Sequence, residues 1–121
     1  MATEFKVEVS ELEGGIRSFS VAGELDQATA PELRDPLLRA VVAGDGKILV
    51  DLSDCSFMDS TGLSVLVEAR KRIASGGAGE ESRFGICCPD AQVRRLLEIT
   101  GLDRAIGVHE TKDQALAALS V

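Results

Sequence analysis

The sequence predicts an α/β fold: a mixed β-sheet that opens with a hairpin and is covered by about four α-helices. Three observations carry this. Phe5, Val7 and Val9 alternate with polar residues ahead of Gly14-Gly15, as in a half-buried strand running into a turn. Lys47-Ile48-Leu49-Val50-Asp51-Leu52 is a short apolar run that suits a strand buried on both faces. Leu63, Leu66, Val67 and Ile73 then recur at helical spacing, with Glu68, Arg70, Lys71 and Arg72 mostly on the other side. A hairpin followed by alternating helices and strands implies parallel pairs joined by crossovers.

The remaining elements follow in order. Glycines at 14 and 15 tolerate the positive φ of a tight turn, so Ile16 to Val21 is the return strand. Thr29 and Glu32 have capping-box spacing and Pro31 suits a first turn, which starts a helix running to about Val42. Pro36 lacks an N–H and collides with the carbonyl four residues back, so a kink near Asp35-Pro36, or two short helical pieces, is expected. Ser53 to Asp59 reads as a loop. Ser75 to Ser82, with Gly76-Gly77-Ala78-Gly79, reads as a connector. Arg83 to Cys88 is a strand. Pro89-Asp90 opens a helix with Val93, Leu96 and Leu97 on one face; Gly101 suits the left-handed position past its end, with Leu102 against Leu97. Ala105 to Val108 is a short strand, and Thr111 with Gln114 caps a last helix through Leu116 and Leu119.

Composition narrows the function. The 121 residues fit one domain, 1–121, able to bury roughly two-thirds of its unfolded surface. With 13 Lys+Arg against 20 Asp+Glu the formal charge is −7, which disfavours nucleic acid and anionic membrane surfaces. Absence of Trp and Tyr removes the usual base-stacking platforms, and one His cannot build a multi-His zinc site. Arg70-Lys71-Arg72 and Arg94-Arg95 read as solvated helix faces. Met1 to Lys6 has no basic region leading into an apolar core, so no secretory leader is expected, and no run approaches the ~20 apolar residues of a membrane span. Three cysteines, Cys55, Cys87 and Cys88, form no framework and fit a reducing, cytoplasmic setting; neighbours on a strand point to opposite faces, so Cys87 and Cys88 are expected as small buried hydrophobes.

The segment Asp51 to Leu63 lies between a buried strand and an amphipathic helix, where sites gather in α/β sheets. Asp59, Ser60 and Thr61 all have side chains that cap a helix, so a purely structural role competes with a functional one. Phe57 and Met58 suit either the core or a surface. Gly62 is a poor helix former, and its place in a first turn implies close approach by another backbone or a partner. Catalytic alternatives fit badly. An aspartic protease of the retroviral type needs Asp-Thr/Ser-Gly in an all-β dimer, whereas here Gly62 is three residues after Asp59 and a helix follows. A response-regulator receiver domain would use Asp51 or Asp54, but it resembles a five-fold β-α alternation with a Lys directly after the last strand, whereas this chain opens with a hairpin and has His109 directly after Val108. A Ser60–His109 hydrolase lacks the Gly-x-Ser-x-Gly elbow, and His109 reads as the exposed end of the last strand.

Gly23-Glu24-Leu25-Asp26, Thr29-Ala30, Asp51-Leu52, Phe57-Met58-Asp59-Ser60-Thr61-Gly62-Leu63 and Thr100-Gly101-Leu102, in this element order, resemble the STAS domains of the anti-sigma factor antagonist (anti-anti-sigma) family. The resemblance spans about Val9 to Leu119. It implies a STAS fold and a binding module, not an enzyme, with no cofactor, no direct nucleic-acid contact and no membrane insertion. In that family the unphosphorylated antagonist binds an anti-sigma factor with Ser/Thr kinase activity and releases the sigma factor. The kinase then modifies the loop–helix segment, and a metal-dependent Ser/Thr phosphatase restores it. Carried over by motif, Ser60 is the phospho-acceptor with Thr61 the adjacent alternative. Asp26, Phe57, Met58, Asp59, Ser60, Thr61, Gly62 and Leu63 form the partner-binding surface. Asp51 and Asp54 are expected beside Ser60 as well. Related STAS domains act instead as scaffolds in stress complexes or as partners in lipid transport, without a phospho-switch. Some bind nucleotide, but Gly76-Gly77-Ala78-Gly79 lacks the Lys-Ser/Thr of a P-loop.

Overall fold

The computed structural model describes residues 4–44, 46–75, 83–102 and 106–120. Strand β1 (Lys6–Leu12) turns through Gly14 and Gly15, at φ +80° and +75°, into β2 (Ile16–Leu25), its antiparallel partner. Helix α1 (Ala30–Val42), strand β3 (Lys47–Met58), helix α2 (Ser60–Ser75), strand β4 (Arg83–Cys87), helix α3 (Ala91–Ile99), strand β5 (Gly107–His109) and helix α4 (Lys112–Leu119) follow. The sheet order is β1-β2-β3-β4-β5, with every pair after the hairpin parallel. This is the mixed α/β architecture that the periodicity predicts.

Alternation along the strands builds two apolar layers. Ile48, Val50 and Leu52 of β3 join Phe19 and Val21 of β2 on the face covered by α1, α2 and α3, through Leu33, Leu37, Val65, Leu66, Val93 and Leu97. Leu49 points the other way and packs with Ile16, Cys87, Ala115 and Leu119 under α4. Each such buried aliphatic side chain contributes about 1.5–3 kcal/mol. Cys87 lies in the second layer and Cys88 in the first, so the adjacent thiols are separated by the sheet; all three cysteines are buried and free.

Several local expectations change. Helix α1 runs through Pro36 as one element rather than two pieces. The carbonyl that Pro36 cannot bond belongs to Glu32, on the exposed side, where water can serve it. Ser53 to Phe57 is not a loop: β3 continues to Met58, pairing Asp54 with Ala22 and Phe57 with Glu24 across two register shifts. Those bulges break the period-two pattern and hide the strand. Similarly β2 extends past Val21 to Leu25. Val9 is 45% exposed despite its apolar alternation with Phe5 and Val7, which do pack on the core. Arg94 is not a solvated charge: it donates to the carbonyls of Cys88 and Pro89 and pairs with Glu110.

The C-terminal caps form as the spacing predicts. Thr111 and Gln114 make a reciprocal capping box, Asp90 accepts the N–H groups of Gln92 and Val93, and Gly101 has φ +78° with Leu102 buried behind it. The strand expected from Ala105 is seen as Gly107–His109; Ala105 and the Gly76 to Gly79 connector lie outside the described residues. Among the described residues no helix is long and apolar enough to cross a membrane.

Candidate functional site

The carboxyl ends of β2 and β3 place two segments side by side. Asp59 follows β3 directly, and its N–H donates to the Leu25 carbonyl at 3.2 Å, a last rung between the two strands. Asp59 is also the N-cap of α2. Its carbonyl accepts from Leu63 N–H at 3.0 Å, and its Oδ1 accepts from Gly62 N–H at 3.0 Å. Ser60 is therefore the first residue of the helix and is exposed, while Thr61 is half-buried. The Ser60 carbonyl accepts from the Ser64 hydroxyl at 2.8 Å.

Facing this turn is the segment between β2 and α1. Asp26 Oδ1 accepts the N–H groups of Ala28 at 3.0 Å and Thr29 at 3.1 Å. The Thr29 hydroxyl accepts from Asp26 N–H at 2.9 Å and donates to the Glu24 carbonyl at 2.7 Å. That leaves Thr29 unavailable as a side-chain cap, so its capping box with Glu32 does not form. Asp26, expected on the partner surface, uses one carboxylate oxygen, Oδ1, to shape this turn. Asp59 Oδ2 then accepts from Gln27 N–H at 3.2 Å, joining the two segments.

The predicted surface residues divide by exposure. Phe57 is 47% exposed, a large apolar side chain left in solvent three residues before Ser60. Met58 is buried in the main core, and Leu63 packs partly against it. Gly62 is buried against Leu25, which is the close backbone approach that its position predicts. Beneath the turn, Cys55 donates to the Phe57 carbonyl at 3.3 Å, and burial raises its thiol above the ordinary range. Ser60, Asp59, Asp26 and Phe57 are thus gathered at one end of the sheet.

Asp51 and Asp54 are not part of this group. Asp51 shares the face of Leu49 and lies 3.9 Å from Lys112 of α4, across the sheet from α2. Its Oδ1 accepts from both the backbone N–H and the hydroxyl of Ser53. Asp51 and Asp54 line a hollow of about 130 Å³ with Lys6, Glu8 and Ser20. Period-two alternation with Leu49 puts Asp51 on the far face, and the register shift after it puts Asp54 there too, so proximity in sequence misleads. Gln27 is the contact that the sequence does not reveal, since a backbone N–H has no residue signature; the Asp26-x-x-Thr29 turn is the nearest signal. Among the described residues no group of three or more His, Cys, Asp or Glu could hold a metal ion.

Comparison with known proteins places this arrangement. The STAS domain family model matches residues 9–115. The chain belongs to the STAS domain family. It is similar to the anti-sigma-B factor antagonist of Listeria monocytogenes, 33% identical over 108 residues, covering 89% of this chain and 91% of that protein. It is also similar to the anti-sigma-F factor antagonist RsfB of Mycobacterium tuberculosis, 28% identical over 105 residues, covering 87% and 82%. Among solved structures, an anti-sigma factor antagonist from Mycobacterium paratuberculosis superposes with a TM-score of 0.87 at 30% identity, over 98% of this chain and 96% of that one. The STAS fold expected from the sequence is therefore the fold of this chain.

Proposed function

We propose that this STAS protein is an anti-sigma factor antagonist whose binding is switched by phosphorylation of Ser60. In the unphosphorylated form it binds an anti-sigma factor that is also a Ser/Thr kinase, and the sigma factor is released. Phosphorylation of Ser60 ends that binding, and a metal-dependent phosphatase restores it. The single observation that carries this reading is the place of Ser60: an exposed hydroxyl on the first residue of α2, three residues after exposed Phe57 and next to the residue that bonds the Asp26–Thr29 turn. Thr61 is half-buried in the same turn, which favours Ser60 as the acceptor.

The physical logic is local. A phosphate adds about −1.5 to −2 charges and three acceptor oxygens. At a helix N-terminus the dipole and the unbonded N–H groups tolerate it, so the fold survives. At an interface the same group brings a desolvation cost, and it repels acidic partner groups together with Asp59 and Asp26. A loss of about 3–4 kcal/mol weakens binding by two to three decades.

The test uses Ser60→Ala as bait in a native cell extract, with the captured protein identified by mass spectrometry and then incubated with wild-type protein and ATP. Recovery of an anti-sigma factor that labels wild type at Ser60 is expected. Recovery of a partner that never labels the protein would instead make it a scaffold without a switch.

A further inference from the structure

We propose that Asp59 is a positioning residue that locks the Asp26–Thr29 turn to the first turn of α2, so that two segments 32 residues apart present one rigid recognition surface. The role in recognition rests on the function proposed above; the lock itself does not.

The two oxygens of Asp59 have separate duties. Oδ1 takes Gly62 N–H, which is all that capping requires. Ser, Thr or Asn would cap as well. Oδ2 takes Gln27 N–H, and only a carboxylate supplies a second acceptor there. An Asn in its place keeps one acceptor for Gly62 and turns an NH₂ donor toward the Gln27 N–H. Capping therefore does not explain the choice of Asp.

Among the described residues no other hydrogen bond joins the turn to α2 or to its N-cap. Its own bonds, from Ala28 and Thr29 to Asp26 and from Thr29 to Glu24, hold its shape but do not set its position against α2. The Gln27–Asp59 bond sets that position, aided by the Asp59–Leu25 rung below it. Gln27 and Ala28 are exposed on one side of the lock, Ser60 and Phe57 on the other. A partner reading both sides meets a preformed surface and has no loop to order, and preformed surfaces bind more tightly for the same contacts.

The test separates lock, cap and charge. Thr29 N–H donates to the Asp26 carbonyl, which puts Gln27 second in a four-residue turn, the place where Pro is favoured. Gln27→Pro removes the donor N–H while leaving Asp59 and its charge intact. Asp59→Asn removes the acceptor but keeps the cap. Amide hydrogen exchange is read on the purified full-length protein. Both variants should speed exchange at Ala28 and Thr29 at least tenfold, with Gly62 and Leu63 unchanged. Exchange at Ala28 and Thr29 equal to wild type in both variants would overturn the lock. With the captured anti-sigma kinase and ATP, Gln27→Pro should be labelled at Ser60 at least fivefold more slowly than wild type, at an unchanged melting temperature. Labelling at the wild-type rate would overturn the role in recognition. If wild type itself is not labelled, the proposed switch fails, while the exchange data still decide the lock.

Discussion

Gly62 lies so close to Leu25 that a β-carbon on it would sit 2.7 Å from the Leu25 carbonyl oxygen and 2.8 Å from Cγ of the same residue. One of these atoms is backbone at the end of a sheet strand and cannot swing away. Gly62→Ala gains up to about 1 kcal/mol of helix propensity but forces apart α2 and β2, an overpacking that costs about 1–3 kcal/mol. Net destabilisation of about 1–2 kcal/mol is expected in urea unfolding. A midpoint at or above wild type would show that α2 can shift freely, and with it Ser60.

That contact also shows how much of the molecule was legible beforehand. The glycine's place in a first turn implied a close approach, and the partner is a neighbouring strand. Element order was readable because hydrophobic period and caps agree: Thr111 and Gln114 sit at box spacing and form the box. Thr29 and Glu32 have the same spacing and do not, because Asp26 and Glu24 claim the Thr29 hydroxyl. The strand through Ser53 to Phe57 was hidden by its bulges; plain alternation turns Asp51 away from Ser60, and the first bulge turns Asp54 the same way. Of the site, Asp59, Ser60 and Gly62 were visible in one stretch of sequence. The bond to Gln27 was not, since it joins a backbone N–H to a side chain between the segments that follow β2 and β3.

The buried thiols set an alkaline limit. Burial pushes Cys88 up to about 12 from an ordinary 9.0, with Cys55 and Asp90 adding to the rise and Arg94 opposing it. A thiol whose folded value lies above its unfolded one contributes stability in full below about pH 9, and loses it as pH climbs toward 12. Wild type should therefore lose urea resistance more steeply than Cys88→Ala above about pH 9. Parallel slopes for the two proteins would contradict this placement of the thiol.

Arg34 bridges α1 to α2 by donating twice to Glu68, at 2.9 and 3.0 Å, and holds the Glu68 carboxyl below its usual range. Arg34 is exposed and Glu68 half-buried at the surface, so solvent reaches the pair, which contributes little and is screened by salt. Glu68→Gln should lower the melting temperature slightly in dilute buffer at neutral pH. The difference should shrink as pH falls below the carboxylate range, and vanish in 1 M salt, where the Debye length is about 3 Å. A large, salt-independent loss would mean that Glu68 has a packing role that its exposure does not suggest.

Substitution at the acceptor separates the two hydroxyls. Ser60→Ala should bind the anti-sigma partner and resist phosphorylation, and Ser60→Asp should bind at least about tenfold more weakly, one charge giving part of the effect of a phosphate. Full labelling of Ser60→Ala would move the acceptor to Thr61, and Thr61→Ala would then abolish it.

The most direct measurement compares one protein in two states. The affinity of the captured anti-sigma factor is determined for the unmodified protein and for the stoichiometrically phosphorylated protein, with mass spectrometry locating the phosphate and heteronuclear spectra reporting the fold. A phosphate on Ser60, spectral changes confined to the turn and the first turn of α2, and binding weakened by about two to three decades are expected. Equal affinity for the two forms would contradict the switch.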